Sequence, residues 1–138
     1  MNSSLDAIFR PKSVAIVGAS TKKGAVGREI FDKLLDMDFN GPIYPINPKA
    51  DFVHSVKAYP SVTDLPEPVD LVVVVVPAKF VLPVVEECAN KGVKGIVVIT
   101  AGFKEIGDEG AKLERKIVEA VKKHGMRLVG PNCMGVIN

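Results

Sequence analysis

Little in this chain points to a membrane, a disulfide scaffold or nucleic acid. The longest hydrophobic run, Leu71 to Val76, is far too short to cross a bilayer. Asp6 and Arg10 interrupt the N-terminal segment and no apolar stretch follows. A secretory signal is therefore not expected, and the cytoplasm is the expected location. Cysteine is scarce: Cys88 and Cys133 suit a reducing compartment better than a disulfide framework. No Cys–His pair has the spacing of a metal site. His54 and His124 lie far apart in polar contexts and read as surface residues. Neither sign of charge dominates, since 18 Lys and Arg face 16 Asp and Glu, intermixed along the chain. Without a basic stripe interleaved with aromatics, no nucleic-acid partner is expected. Linkers, repeats and low-complexity tracts are absent, which leaves one domain over residues 1–138.

What is present is a regular alternation of strand-like and helix-like patterns. The hydrophobic fraction of 47% is enough for a sizeable core. Ser13 to Val17 reads as the first strand. Val26, Ile30 and Leu34, flanked by Phe31 and Leu35, predict a helix with one apolar stripe, stopped at Asn40-Gly41-Pro42. Ile43 to Asn47 is a short second strand whose prolines suit a strand end or edge. Lys57-Ala58-Tyr59 predicts a very short edge strand. The unbroken run Leu71 to Val76 fits a central parallel strand covered on both faces. Val81, Val84, Val85, Cys88 and Ala89 recur at helical spacing up to Gly92, with Pro83 tolerable in a first turn. Gly95 to Thr100 is a further buried strand. Leu113, Ile117, Ala120 and Val121 form the next helical stripe, and Arg127-Leu128-Val129 the last strand.

Such alternation predicts an α/β fold: a Rossmann-like, doubly wound parallel sheet in three α/β/α layers. The expected strand order is 3-2-1-4-5-6, with the switch point between strands one and four. Ligands in open sheets sit at that point, outside the carboxyl ends of the strands. The residues at those ends are Gly18-Ala19-Ser20, Asn47-Pro48-Lys49, Val76-Pro77-Ala78-Lys79, Thr100-Ala101-Gly102 and Gly130-Pro131-Asn132-Cys133. After the first strand, a polar turn carrying Gly24 and Gly27 opens a helix, an arrangement that aims backbone N–H groups and a helix dipole at an anion. The same glycines also suit ordinary turns and packing. A nicotinamide site usually ends its second strand in an acid that holds the ribose hydroxyl. Here Asn47-Pro48-Lys49 stands there, and a cation favours a ribose that carries phosphate, as in NADP or coenzyme A.

Several separate motifs in order then resemble one family. They are Phe9-Arg10-Pro11-Lys12 through Gly18-Ala19-Ser20, Ile43 through Lys49, Asp64 through Leu71, Val76-Pro77-Ala78, Val98 through Phe103, and Gly130 through Gly135. The chain resembles the N-terminal coenzyme A-binding domain of the ADP-forming acyl-CoA (acetyl-CoA) synthetases and, more distantly, the alpha subunit of succinyl-CoA synthetase. The resemblance implies that Gly18, Ser20, Lys22, Gly24, Ala25, Val26 and Gly27 surround the CoA phosphates. Asn47, Pro48 and Lys49 would meet the 3′-phosphate end, and Val76, Pro77 and Phe80 the crevice wall. Thr100, Ala101 and Gly102 would approach the pantetheine arm, and Asn132 and Cys133 the thiol end. Two positions depart from the pattern: Ala25 stands where many relatives have serine, and Val53-His54-Ser55-Val56 lacks a glycine common there.

Other chemistry is not expected. Cys133 has no neighbouring base in the sequence and reads as a bystander thiol, and Cys88 as core. Glu105, Asp108 and Glu109 suit a helix N-terminus. The family's phosphohistidine and its ATP-binding (ATP-grasp) domain are not visible in this chain, so they are expected as partner domains or subunits, and no catalytic residue is expected here. The alternatives are a stand-alone CoA-binding regulatory module and an NADP-binding domain of an oxidoreductase.

Overall fold

The computed structural model describes residues 6–99 and 107–130 and the backbone of Val136–Ile137. In chain order the elements are α1 (Asp6–Phe9), β1 (Val14–Val17), α2 (Val26–Asp36), β2 (Ile43–Ile46), β3 (Phe52–Val53), β4 (Val56–Lys57), β5 (Leu71–Val74), α3 (Val81–Lys91), β6 (Gly95–Val98), α4 (Asp108–Lys123), β7 (Arg127–Val129) and β8 (Val136–Ile137). The main sheet runs β2-β1-β5-β6-β7-β8. Its first five strands are parallel, and β8 pairs with β7 antiparallel. Tyr59 adds one parallel bridge outside β2, at Ile46.

The expected order therefore holds, with its third strand reduced to that bridge. Lys57 belongs instead to a small antiparallel hairpin, β3–β4, whose register pairs Phe52 with Lys57 and Val53 with Val56. Three of the elements have no counterpart in the sequence reading: α1, and β3 and β8, strands of two residues each, too short for any periodicity to show.

Side chains of β1 alternate between two cores, as strand geometry requires. Ala15 and Val17 join the α3 and α4 face, with Val81, Val85, Ile117 and Val121. Val14 and Ile16 join the α2 face, with Phe31 and the hairpin's Val53. Helices thus cover both faces of the sheet. The stripe of α2 is rotated from the one expected. Val26 is 55% exposed, whereas Phe31 is fully buried and Gly27 lies against the sheet. The buried residues of this helix begin with a glycine and an arginine, which an apolar count overlooks. Asp108 and Glu109 do occupy the first turn of α4, where acids complement the dipole. Glu105 lies outside the described residues.

Among the described residues no helix is long and apolar enough to cross a membrane. Nor does any group of three or more His, Cys, Asp or Glu there have the arrangement to hold a metal ion.

Candidate functional site

The connections that leave β1 and β5 run to opposite faces of the sheet, α2 on one and α3 on the other, so a crevice is left outside the carboxyl ends of the strands. A cleft of about 490 Å³ opens there. Its floor is Val17 to Ser20, and its sides come from Ile46 to Lys49, Pro60 to Val62, and Val76, Pro77, Phe80, Val84 and Glu87.

The floor depends on two glycines. Gly18 has φ +95°, and a Cβ there would fall 2.1 Å from the carbonyl oxygen of Val75. Gly27 packs against Gly18 in turn, since a Cβ on it would lie 2.0 Å from the Gly18 carbonyl oxygen. The first glycine allows the strand to turn, and the second lets α2 sit close on that turn. These are the parts that glycines play in a phosphate-binding turn.

Between them runs a loop whose polar groups are tied inward. Ser20 Oγ accepts from the Lys22 amide at 3.0 Å. Arg28 Nη1 donates to the Thr21 carbonyl at 2.9 Å, and Glu29 Oε1 accepts from the Gly24 amide at 3.1 Å. The N-cap of α2 is Ala25, whose side chain offers no hydrogen bond. A serine there would supply one to the first-turn amides.

At the end of β2, Asn47 joins two sides of the cleft. Its Nδ2 donates to the Ala19 carbonyl at 2.9 Å, and its Oδ1 accepts from the Lys49 amide at 2.8 Å. The second bond is an Asx turn, and it sets Lys49 at the rim. Among the described residues neither Lys49 nor Lys22 forms an ion pair.

The opposite wall is apolar. A short 3₁₀ turn, Ala78–Phe80, leads into α3 and leaves Phe80 50% exposed, with Lys79 Nζ 5.1 Å from its ring centre. Phe80, Val84 and Glu87 follow one another at helical spacing along the cleft face of α3. One helical turn after Val84, burial pushes the Cys88 thiol up to about 12, which leaves it neutral. Lys91 Nζ donates to the Leu65 carbonyl at 2.6 Å, tying the segment that follows Val62 to α3.

The cleft brings together Gly18, Ser20, Asn47, Pro48, Lys49, Val76, Pro77 and Phe80 from three segments expected at the site. Lys22, Gly24, Ala25, Val26 and Gly27 form the adjoining loop and first turn of α2 rather than the lining. Thr100, Ala101, Gly102, Asn132 and Cys133 lie outside the described residues. Sequence reasoning missed Val84 and Glu87 as lining residues, though they stand four and seven places after Phe80. It also missed Ile46 and the return segment Pro60–Val62. His54 is exposed as expected, yet it has a partner: its Nδ1 donates to Asp32 Oδ1 at 2.6 Å.

A turn built by two glycines, the open N-terminus of a helix and a cation at the end of the second strand form a donor set for a polyanionic nucleotide. Comparison with known proteins agrees. The CoA binding domain family matches residues 12–138. The ADP-forming acetate–CoA ligase I subunit alpha of Pyrococcus furiosus is 48% identical over 138 residues, covering 97% of this chain and 30% of its own length. The ADP-forming 4-hydroxybutyrate–CoA ligase of Nitrosopumilus maritimus is 49% identical over 131 residues, covering 95% of this chain and 19% of its own. In the solved structures, the apo form of dinucleotide forming acetyl-coenzyme A synthetase 1 from Ca. Korarchaeum cryptofilum superposes with a TM-score of 0.88. It is 44% identical, and the match covers 93% of this chain and 28% of that one. A more distant match reaches a succinate–CoA ligase subunit alpha, 42% identical over 66 residues. The chain spans less than a third of the length of each of these proteins. It belongs to the CoA binding domain family, as the kind of domain found in ADP-forming acyl-CoA ligases.

Proposed function

We propose that this chain holds coenzyme A in the cleft, for acyl transfer in an ADP-forming acyl-CoA ligase. The thiol would attack the carbonyl of an acyl phosphate and release phosphate. The relatives' names, acetate–CoA and 4-hydroxybutyrate–CoA ligase, support a small organic acid as acyl donor. The small share of each relative's length that the chain covers supports further domains or subunits, where the phosphohistidine and the ATP-grasp site would lie.

The observation that carries the reading is Lys49 on its Asx turn. A cation stands where a nicotinamide site places its acid, and it suits a phosphate on the ribose. The diphosphate would lie along the loop from Ser20 to Gly27, where Lys22 adds charge. The adenine would lie against Val76, Pro77 and Phe80, with Glu87 to accept from its amino group. Thr100, Ala101 and Gly102 would line the pantetheine arm, and Asn132 and Cys133 the thiol end.

Thermal denaturation with CoA, dephospho-CoA, NADP and NAD tests this. A ligand that binds the native state raises the midpoint as its concentration exceeds its dissociation constant. CoA is expected to give the largest rise. A rise with NADP and none with CoA would overturn the proposal in favour of an oxidoreductase domain.

A further inference from the structure

Among the described residues Arg28 and Ser13 are the buried polar side chains, and of the two Arg28 carries the charge. A buried guanidinium needs partners, and Arg28 has two. Its Nε donates to Asp32 Oδ1 at 2.8 Å, one turn along α2, and its Nη1 donates to the Thr21 carbonyl at 2.9 Å. The same Asp32 oxygen accepts from His54 Nδ1 at 2.6 Å. One carboxylate oxygen therefore joins the helix to a hairpin distant in sequence.

The hairpin turn that presents His54 is strained. His54 has φ +50° and Ser55 φ +65°, so the two-residue loop between β3 and β4 has positive φ at both positions. Such a turn favours Asn-Gly, and other residues adopt it at a cost. The segment Val53 to Val56 has no glycine, and its His54 is the residue that reaches Asp32.

We infer that Arg28 is a positioning residue for the phosphate-facing loop, and that the β3–β4 turn is coupled to this loop through His54 and Asp32. The guanidinium holds the Thr21 carbonyl, so that the loop from Ser20 to Gly24 keeps one shape before any ligand arrives. Asp32 fixes the plane of the guanidinium, and His54 fixes Asp32. The loop is thus pre-organised from two sides, which lowers the ordering cost of binding. The CoA reading enters only through the second readout below.

The first readout is amide hydrogen exchange in the ligand-free 138-residue chain. Arg28→Lys keeps the charge and loses the fork that bonds Asp32 and Thr21 together. It is expected to speed exchange at Thr21 to Gly24 by about tenfold or more, while core amides of β1 and β5 keep their rates. His54→Asn suits positive φ better than histidine but is too short to reach Asp32. It is expected to leave the hairpin as protected as before and still to speed exchange in the loop, by about threefold.

The second readout is affinity. In Arg28→Lys, CoA and dephospho-CoA are expected to weaken by the same factor, about tenfold, because the loop faces the diphosphate they share. Loop exchange unchanged in both variants would overturn the inference, and so would a change that appears only as a uniform loss of protection. If the parent chain binds no CoA, the functional reading fails, and the exchange arm still decides this one.

Discussion

The two helices that flank the cleft bury opposite chemistry. Helix α2 buries a guanidinium, Arg28, and α3 buries a thiol, Cys88, whose pKa is pushed up to about 12. The charge on α2 ties down a loop of backbone donors through Thr21, and the helix reaches that loop by a glycine, Gly27, with no side chain to separate them. The neutral face of α3 packs against β5, β6 and α4 and holds an apolar wall by burial alone. On the proposed reading that side meets phosphate, which needs donors fixed in space, and the buried charge would keep them ordered. Recognition of a flat apolar ring needs only surface, and ordinary core packing supplies it.

The contrast breaks most completely at Gly27. An alanine there would push its Cβ into the Gly18 carbonyl, and the neighbour is backbone that has little room to give. Gly27→Ala is expected to cost about 1–3 kcal/mol, toward the upper end. It should also abolish the thermal shift with CoA. Urea denaturation checks the first effect and ligand titration the second. A variant that keeps both would show that the contact between loop and helix is not what builds the phosphate side.

Gly18 and Lys49 were legible in sequence because their signals are local: a glycine closing an apolar run, and a cation at a strand end. The order of the parallel strands was legible for a related reason, since handedness and burial leave few choices once β1 and the Leu71 run are identified. The hairpin was not, because two-residue strands carry no periodicity. The Arg28 network was not, because its bond from Asp32 to His54 spans 22 positions. Only the fold brings α2 and the hairpin together. Glu87 was legible in principle, one helical face along from Phe80, but helical spacing was used there only to find the core.

On the apolar side, the largest effect is expected at Phe80. Stacking of a base on an aromatic ring is worth about 1–3 kcal/mol by alanine substitution, and a half-exposed ring belongs near the lower end. Phe80→Ala should weaken CoA and dephospho-CoA alike, by about fivefold to tenfold, with stability changed by no more than about 0.5 kcal/mol. Lys49→Ala should separate the two ligands instead. A charge-assisted bond to phosphate is worth about 1.5–3 kcal/mol when desolvated and less at an exposed rim. A loss of about threefold to tenfold is expected for CoA, and almost none for dephospho-CoA. Equal losses for both ligands would remove Lys49 from the ribose phosphate and leave the second-strand cation without its role.

The smallest effect belongs to the network behind the polar side. The Asp32 carboxyl titrates below its ordinary 3.8, chiefly because His54 donates to it, with Arg28 adding to the same direction and burial opposing it. A carboxyl whose folded value is lowered stabilises the fold fully above its ordinary value, and that stability is lost as pH falls through the folded value. His54→Ala removes the largest cause and leaves Arg28. The Asp32 midpoint, followed by carbon-13 NMR of its carboxyl, should therefore move up. The acid limb of the stability curve should soften by a correspondingly small amount. A midpoint unmoved by the substitution would mean that the guanidinium alone holds the carboxylate ionised. The hairpin would then rest against α2 without taking part in holding its charge.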